Sequence, residues 1–156
     1  MGHADVVLYI HIVWATWDQL PLLTPEIERA VQRAIGAKVE ELGAQVVAIG
    51  GTEDHVHLLV RFPVTISVDD LVKHVKGASS HLVTHGVGHG QVFTWHGAYG
   101  AATVSPSEVA QVSDYIARQR EHHAAGTLIA EWEQGVEDEA EAGSANGHSR
   151  TEGLPS

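Results

Sequence analysis

The chain has 156 residues, of which 44% are hydrophobic, and this is the size and composition of one folded domain with its own core. It has no cysteine, which excludes disulfides and thiolate metal sites, and no apolar stretch is long enough to span a bilayer. The net charge of −11 counts against a simple basic DNA-binding domain, whereas 12 histidines are many for this length and invite a search for a metal site.

The first part of the chain predicts a strand, a helix and two further strands. Residues 6–16 predict a strand because β-branched and aromatic residues dominate them and the even positions are uniformly apolar. A helix is predicted from Thr24, a capping residue that precedes a proline, to Gly43. Two strands follow, at residues 46–49 and 55–62, with a turn between them.

The second part of the chain predicts a helix, a strand and one more helix. Ser67 begins a helix that runs to about residue 83. Residues 92–95 and 99–104 are predicted to be extended, and a last helix is predicted over residues 105–123. This order of elements predicts an α+β fold of the ferredoxin-like (RRM-like) type. It has an antiparallel sheet with helices on one face, and a C-terminal helix that carries Tyr115 is added to it.

The composition changes near the C-terminus. After Trp132 the chain is rich in Glu, Ala, Gly and Ser without periodicity, and from Glu131 onward it has seven acids and a single base, Arg150. We therefore expect a folded domain over residues 1–130 and an acidic, disordered tail over residues 131–156.

The strand at residues 55–62 carries the most informative pattern in the chain. Because side chains on a strand alternate between its faces, His55 and His57 share one face, while the other face is entirely apolar and must be the core side. Two imidazoles on the non-core face can converge on one metal ion. The same spacing is also explained by partly buried histidines that are bonded to backbone groups. His11 on the first strand would lie near this pair, either as a partner of a metal ligand or in a structural role.

The last predicted helix carries a second candidate cluster. Tyr115 and Gln119 are four residues apart and lie on the same helical stripe, which His122 continues. Gln119 could present its amide oxygen to a metal ion while Tyr115 points into the same pocket. The alternative is a tyrosine at the edge of an apolar seam beside a solvated glutamine.

Together these segments resemble the single-tyrosine HUH transposases of the insertion sequence 200/605 family, in which a His-hydrophobic-His strand is followed by a Tyr-x-x-x-Gln helix. The likeness covers roughly residues 6–125 in the order of the family. Its segments are residues 9–16, 54–60, 76–80, 93–100 and 115–123.

The resemblance implies a DNA transposase that cleaves and rejoins single-stranded DNA through a 5′-phosphotyrosine intermediate. Tyr115 would be the nucleophile, and His55, His57 and Gln119 would hold a divalent ion, Mg²⁺ or Mn²⁺. Magnesium prefers oxygen ligands, whereas two imidazoles suit manganese or another transition ion better. No general base for Tyr115 is evident in the sequence.

The resemblance also implies the partners. They are single-stranded DNA with hairpin ends and a second copy of the chain, since the family is dimeric and its tyrosine helix can act on either histidine pair. Phosphate contacts are expected from basic residues, which would otherwise be ordinary surface charges. These are Arg61, Lys73, Lys76, Arg118 and Arg120. For Phe93, Trp95 and Tyr99, core packing is favoured over base stacking.

Two other functions remain open at this point. One is a silent or repurposed relative that binds single strands or hairpins without cutting them, which the acidity of the chain favours. The other is a histidine-rich metal-binding domain that is unrelated to DNA. The N-terminus lacks the basic start of a signal peptide and cysteine is absent, so we expect a cytoplasmic protein without a membrane partner.

Overall fold

The computed structural model describes residues 5–88 and 92–133 of the chain. Four strands and four α-helices form the fold. The strands are β1 (Leu8–Ala15), β2 (Gln45–Gly51), β3 (His55–Phe62) and β4 (Gly100–Val104), and the helices are α1 (Pro25–Glu41), α2 (Val68–Leu82), α3 (Val109–Ala117) and α4 (Gln119–Ala125). In the described part of the chain, no helix has the length and apolar character needed to cross a membrane.

The strands form one antiparallel sheet in the order β2-β3-β1-β4. This is the ferredoxin-like order that the sequence predicts, and the two central strands are β3, which carries His55 and His57, and β1, which carries His11. Local signals fix the helix starts as expected. The Thr24 hydroxyl accepts a hydrogen bond from the Ile27 amide at the start of α1, and the Ser67 hydroxyl accepts one from the Asp70 amide at the start of α2.

The main core lies between one face of the sheet and the helices α1 and α2. The even positions of β1 and β3 are buried there against apolar residues of both helices. They include Ile10, Ile12, Trp14, Val56, Leu58, Val60 and Phe62. The prediction that helices cover one face of the sheet is therefore confirmed for α1 and α2.

The tyrosine-bearing helix α3 covers the opposite face. A second, smaller apolar cluster joins Leu59 and Val104 of the sheet to Val112 and Ile116 of α3. The sheet is consequently covered on both faces, and the odd positions His55, His57 and Leu59 of β3 are buried on this side, whereas Arg61 near the end of the strand is exposed. This placement sets the environment of the histidines.

The C-terminal part differs from the sequence prediction in two places. Residues 92–95 form no strand and contribute only an isolated bridge between Thr16 and Trp95. The single helix predicted over residues 105–123 is interrupted, because a 3-10 turn at Pro106–Glu108 precedes α3 and Arg118, with φ −108° and ψ 26°, separates α3 from α4. No glycine or proline marks that break, so residue periodicity alone did not reveal it.

The predicted acidic tail begins inside the folded structure. Ala130–Trp132 form a 3-10 turn, and the side chain of Glu133 is buried. Residues 134–156 of that predicted tail lie outside the described residues.

Candidate metal and nucleophile site

His55 and His57 project from β3 into the space between the sheet and the tyrosine helix. Their side chains are 1% and 0% exposed, and they face away from the main core, as strand alternation predicts. In the pairing with β1, His55 lies opposite Ala15 and His57 lies opposite Val13. The two rings are 5.1 Å apart between centroids.

Each of these imidazoles is held through its Nδ1 atom. Nδ1 of His55 lies 2.7 Å from Oδ1 of Asp54 and 2.8 Å from the hydroxyl of Thr52. Nδ1 of His57 lies 2.8 Å from Nε2 of His11, whose ring stacks on that of His57. A hydrogen bond at one ring nitrogen fixes the ring so that the other nitrogen can bind a metal ion. β1 thus brings His11 to the site, as the sheet order predicts.

Burial and neighbouring charges shift the pKa values of these rings. Burial and, to a lesser extent, the nearby His57 lower the pKa of His11 to about 3, so His11 is neutral near pH 7. Burial also keeps the pKa of His57 below its ordinary value, although the hydrogen bond to Glu133 raises it. For His55, burial lowers the pKa, but the hydrogen bond to Asp54 and the charge of Glu133 outweigh this effect and raise it. Metal binding needs the neutral form of each ligand ring.

Helix α3 places Tyr115 beside the histidine pair of the same chain. The tyrosine is 2% exposed, and its ring centroid lies 6.1 Å from that of His57. Its hydroxyl donates a hydrogen bond to Oε1 of Glu133 over 2.5 Å and accepts one from the Ile129 amide over 3.1 Å. The ring of His122 stacks on the tyrosine at 4.5 Å. The nucleophile and the histidines that the sequence predicts therefore lie together in one buried cluster.

Gln119 joins the cluster as the first residue of α4. Its Oε1 atom lies 3.2 Å from Nε2 of His55 and 3.2 Å from Nε2 of His123. Its Nε2 atom is buried and has no hydrogen-bond partner among the described residues. The amide oxygen thus points to the histidines, as expected for a ligand. His123 is a member of the cluster that the sequence analysis missed, although it lies four residues after Gln119 and so falls on the same helical stripe.

Glu133 completes the donor set and was not foreseen from the sequence. Its Oε2 atom lies 3.0 Å from Nε2 of His57 and 3.7 Å from Nε2 of His55. One ligand atom from each of these three residues lies within 4.8 Å of the others, so that the group could hold a metal ion. In the sequence, Glu133 is one of seven acids in a segment without periodicity, and nothing distinguishes it from the rest.

The chemistry of these donors fits a divalent transition ion. Two imidazole nitrogens and a carboxylate oxygen suit manganese and its neighbours, whereas magnesium prefers a shell of oxygens. The amide oxygen of Gln119 would add a further oxygen ligand on the same side. The buried amide nitrogen without a partner agrees with a glutamine that is oriented by what its oxygen binds.

The hydrogen bond between Tyr115 and Glu133 contributes to the pKa shifts of both groups. Burial raises the pKa of Glu133, but its hydrogen bond with His57 and the charge of that ring lower it to about 2. Burial and the hydrogen bond to Glu133 raise the pKa of Tyr115 to about 12. In this arrangement the carboxylate is ionised and the phenol keeps its proton.

Of the predicted DNA-contacting bases, Arg120 is the one that lines a cavity together with His55. The cavity has a volume of about 470 Å³, and Gln19, Asp54 and His123 also line it. The guanidinium of Arg120 makes an ion pair with Glu28.

The other predicted bases lie elsewhere. Lys73 and Lys76 are on α2, which packs on the opposite face of the sheet. The Lys73 ammonium pairs with Asp69, and that of Lys76 donates hydrogen bonds to two backbone carbonyl oxygens. Arg118, between α3 and α4, pairs with Asp114 and Glu121 of these two helices. Arg61 is exposed near the end of β3. The fold therefore does not gather these bases around the histidine pair.

A glycine sets how closely the tyrosine helix approaches the sheet. Gly50 belongs to β2, where the sequence predicts a turn, and an added Cβ atom there would lie 2.2 Å from the backbone oxygen of Ile116. Only the absence of a side chain permits this contact between strand and helix. Since Ile116 follows Tyr115, the contact also sets the position of the tyrosine.

Comparisons with known proteins agree on one family. Residues 5–119 match the family model described as "Transposase IS200 like". The chain is 26% identical over 121 residues to the ISDra2 transposase TnpA of Deinococcus radiodurans, and the alignment covers 73% of this chain and 85% of that protein.

Two solved structures are similar to the chain. One, from Deinococcus radiodurans R1 and described as a transposase, has 28% sequence identity and a TM-score of 0.59, with 76% of this chain and 96% of that chain covered. The other is a REP-associated tyrosine transposase bound to a REP hairpin, with a TM-score of 0.56 and coverage of 82% and 76%. Its 15% identity indicates a shared fold and nothing finer.

Proposed function

The chain belongs to the IS200-like transposase family, and we propose that it cleaves and rejoins single-stranded DNA through a covalent link to Tyr115. The observation that carries this proposal is the buried cluster that the tyrosine forms with the histidine pair, in which the ring centroids of Tyr115 and His57 lie 6.1 Å apart. A hydroxyl nucleophile beside a cluster of metal-ligand type is what phosphoryl transfer to a tyrosine requires.

The proposed reaction exchanges one phosphodiester for another. The oxygen of Tyr115 forms a bond to the scissile phosphorus as the bond from phosphorus to the 3′ oxygen breaks. The phenol loses its proton, and the departing oxygen takes one up as a free 3′-hydroxyl, which leaves a 5′-phosphotyrosine. A different 3′-hydroxyl then attacks the phosphotyrosine and releases the phenol. The ester is conserved at each step, so no external energy source is needed.

We propose His55 and His57 as ligands of a divalent ion, Mn²⁺ or Mg²⁺. The oxygen ligands are Gln119, as the sequence suggests, and Glu133, which lies 3.0 Å from His57. When bound, such an ion supplies electrostatic stabilisation for the charge that develops on the phosphate oxygens. His11 and Asp54 hold the two rings in place through their other nitrogens.

Glu133 does not serve as the base for Tyr115 in the geometry described above. The pKa of Tyr115 is raised to about 12 and that of Glu133 is lowered to about 2, so this carboxylate is a poor acceptor for the proton of the phenol.

For the DNA, we propose single strands with hairpin ends, as in the REP-associated transposase that is bound to a REP hairpin. Arg120 is best placed to meet a phosphate near the histidines, because it lines the same cavity as His55. Phosphate contacts by Arg61, Lys73, Lys76 and Arg118 remain predictions. Those that are ion-paired would exchange a carboxylate for a phosphate, at a modest cost for exposed pairs.

We also propose a homodimer in the cytoplasm, as the family resemblance and the sequence suggest. Tyr115 lies beside His57 of its own chain, so that one subunit contains every group of the candidate site. Size-exclusion chromatography with light scattering measures the molecular mass in solution. A monomer at all protein concentrations would contradict the dimer.

The experiment that tests the reaction detects the covalent link. The protein is incubated with a single-stranded DNA hairpin and Mn²⁺ and is then separated on a denaturing gel. We expect a slower-migrating protein–DNA adduct that is lost in Tyr115→Phe. Tyr99→Phe is the matched control. Tyr99 packs against the main core on the α1 and α2 side of the sheet, and its hydroxyl donates a hydrogen bond to Asp69. Binding of DNA without any adduct would overturn the proposal in favour of a silent, DNA-binding relative.

A further inference from the structure

An exposed tryptophan lies next to the candidate site. Trp17 is 56% exposed and begins a short 3-10 turn, Trp17–Gln19, directly after β1. The last residue of β1, Ala15, is paired with His55. The indole is therefore near the histidine end of the sheet, and neither of the apolar cores uses it.

The indole is held in place. The Trp17 amide donates a hydrogen bond to the Thr94 carbonyl oxygen over 2.9 Å, and the ring stacks on the imidazole of His96 with 5.9 Å between centroids and 25° between planes. The amide of His96 is in turn bonded to the carbonyl of Ala15 over 2.9 Å. A large flat surface is thus presented to solvent at a fixed position.

The turn after the tryptophan is strained. Asp18 and Gln19 both have left-handed backbone angles, with φ of 54° and 52°, which is unfavourable for residues with a side chain. The hydroxyl of Thr16 stabilises the turn by hydrogen bonds to the carbonyls of Leu20 and Asp54. Strain of this kind persists where the surroundings enforce it, and it is common at ligand-binding sites.

Two cavities are lined by residues close to the tryptophan. The first, of about 470 Å³, is lined by Gln19 and by His55 of the histidine pair. The second, of about 410 Å³, is lined by Lys76, Thr94 and His96. Gln19, two residues after Trp17, lines the first cavity, and His96, on which the indole stacks, lines the second. The indole is thus connected to the walls of both cavities, and we expect a strand that occupies both of them to pass near it.

The charges near Trp17 favour a base over a phosphate. Asp18, next to Trp17, is an exposed acidic residue that would repel a phosphate, whereas the exposed Glu53 is paired with Arg120. An indole is neutral, and any base can stack on it. We propose that Trp17 stacks on an unpaired base of the DNA strand whose scissile phosphate is presented to Tyr115. This inference rests on the proposed function.

The test compares binding of DNA in the Tyr115→Phe protein, which cannot form the adduct. The probe is a fluorescein-labelled DNA hairpin with an unpaired dT flank, and its dissociation constant is measured by anisotropy at several salt concentrations. Trp17→Ala should weaken binding by about 5- to 140-fold, since base–aromatic stacking contributes about 1–3 kcal/mol and 1.4 kcal/mol is a factor of ten. Trp17→Phe should retain most of the affinity, because it keeps an aromatic ring.

Two controls make the result specific. Val64→Ala removes another exposed apolar side chain, 69% exposed, beyond the far end of β3, and should leave the affinity unchanged. A blunt hairpin without the dT flank should not distinguish Trp17→Ala from its parent. Because stacking is uncharged, the slope of affinity against salt should stay the same in Trp17→Ala.

The outcomes separate this inference from the function on which it rests. If the wild-type protein forms the adduct but Trp17→Ala binds the flanked hairpin as tightly as its parent, the stacking role alone is wrong. A reduced salt slope in Trp17→Ala would also overturn it, because a phosphate contact would then be the cause. If the wild-type protein neither binds single strands nor forms an adduct, both proposals fail.

Discussion

The hydroxyl of Tyr115 and the carboxylate of Glu133 share a hydrogen bond of 2.5 Å. The second oxygen of that carboxylate lies 3.0 Å from Nε2 of His57, so one side chain contacts both the candidate nucleophile and a candidate ligand. The 3-10 turn at Ala130–Trp132, here called the C-terminal turn, directly precedes Glu133 and is thus a part of the site. Four predictions follow from this arrangement and from the elements that support it.

Glu133→Gln should weaken Mn²⁺ binding by at least about tenfold, because it removes the negative charge of an oxygen donor, and loss of even an outer partner of a metal ligand costs about 10- to 100-fold. Electron paramagnetic resonance of free Mn²⁺ measures the affinity. The matched control is Glu131→Gln, since Glu131 is exposed and lies two residues earlier. Equal affinities in the two variants would show that Glu133 is no ligand.

His11→Phe should also weaken Mn²⁺ binding, by about 10- to 100-fold, although His11 contacts the ligand His57 and not the ion. It removes the hydrogen bond of 2.8 Å to Nδ1 of His57, so the ring loses its fixed orientation. The buried Nδ1 atom without a partner should lower the free energy of unfolding by about 1–3 kcal/mol. His74→Phe, at an exposed position of α2, is the control and should change neither quantity. Unchanged metal affinity in His11→Phe would contradict the positioning role.

Gly50→Ala should lower the free energy of unfolding by about 1–3 kcal/mol, because its Cβ atom would meet the backbone oxygen of Ile116 at 2.2 Å. Urea unfolding measures the change. Gly36→Ala in α1 has no heavy atom within 4 Å of the new Cβ atom and should instead stabilise the protein by about 0.5–1 kcal/mol. A loss of similar size in both variants would argue against a specific contact between β2 and α3.

Mn²⁺ should stabilise the fold, because the donors of one site come from β3, α4 and the C-terminal turn. At about 100 times the dissociation constant, the expected gain in the free energy of unfolding is about 2.7 kcal/mol. Mg²⁺ at the same concentration should give a smaller gain, since two of the donors are imidazoles. Thermal unfolding with each ion, and after chelation, measures this. Stabilisation that persists in His57→Ala would place the ion elsewhere.

The sequence predicts the parts of the site that depend on local periodicity. Alternation along a strand places His55 and His57 on one face, and helical spacing brings Gln119 to the same side as Tyr115. These patterns depend on neighbours two to four residues apart. Residue type and chain order are then enough to predict the sheet and its ferredoxin-like connections.

The remaining parts depend on contacts between distant residues. Glu133 meets His57 across 76 positions of the chain, and no pattern around either residue signals that contact. The close approach of α3 to Gly50 is likewise a matter of packing, and a pair of glycines in sequence predicts a turn at least as well as a strand. The break at Arg118 has no local marker either, which is why the predicted helix was too long.

The position of Glu133 also has a consequence for the order of events when DNA binds. The Glu133 carboxylate accepts a hydrogen bond from the hydroxyl of Tyr115. On the proposed function, a scissile phosphate must approach the same hydroxyl, so the turn that carries Glu133 and the substrate compete for the place beside Tyr115. The free energy that docks the turn is subtracted from the affinity for DNA. The residues of this turn thereby act as a threshold, and a strand binds productively only if its other contacts are strong enough to displace them.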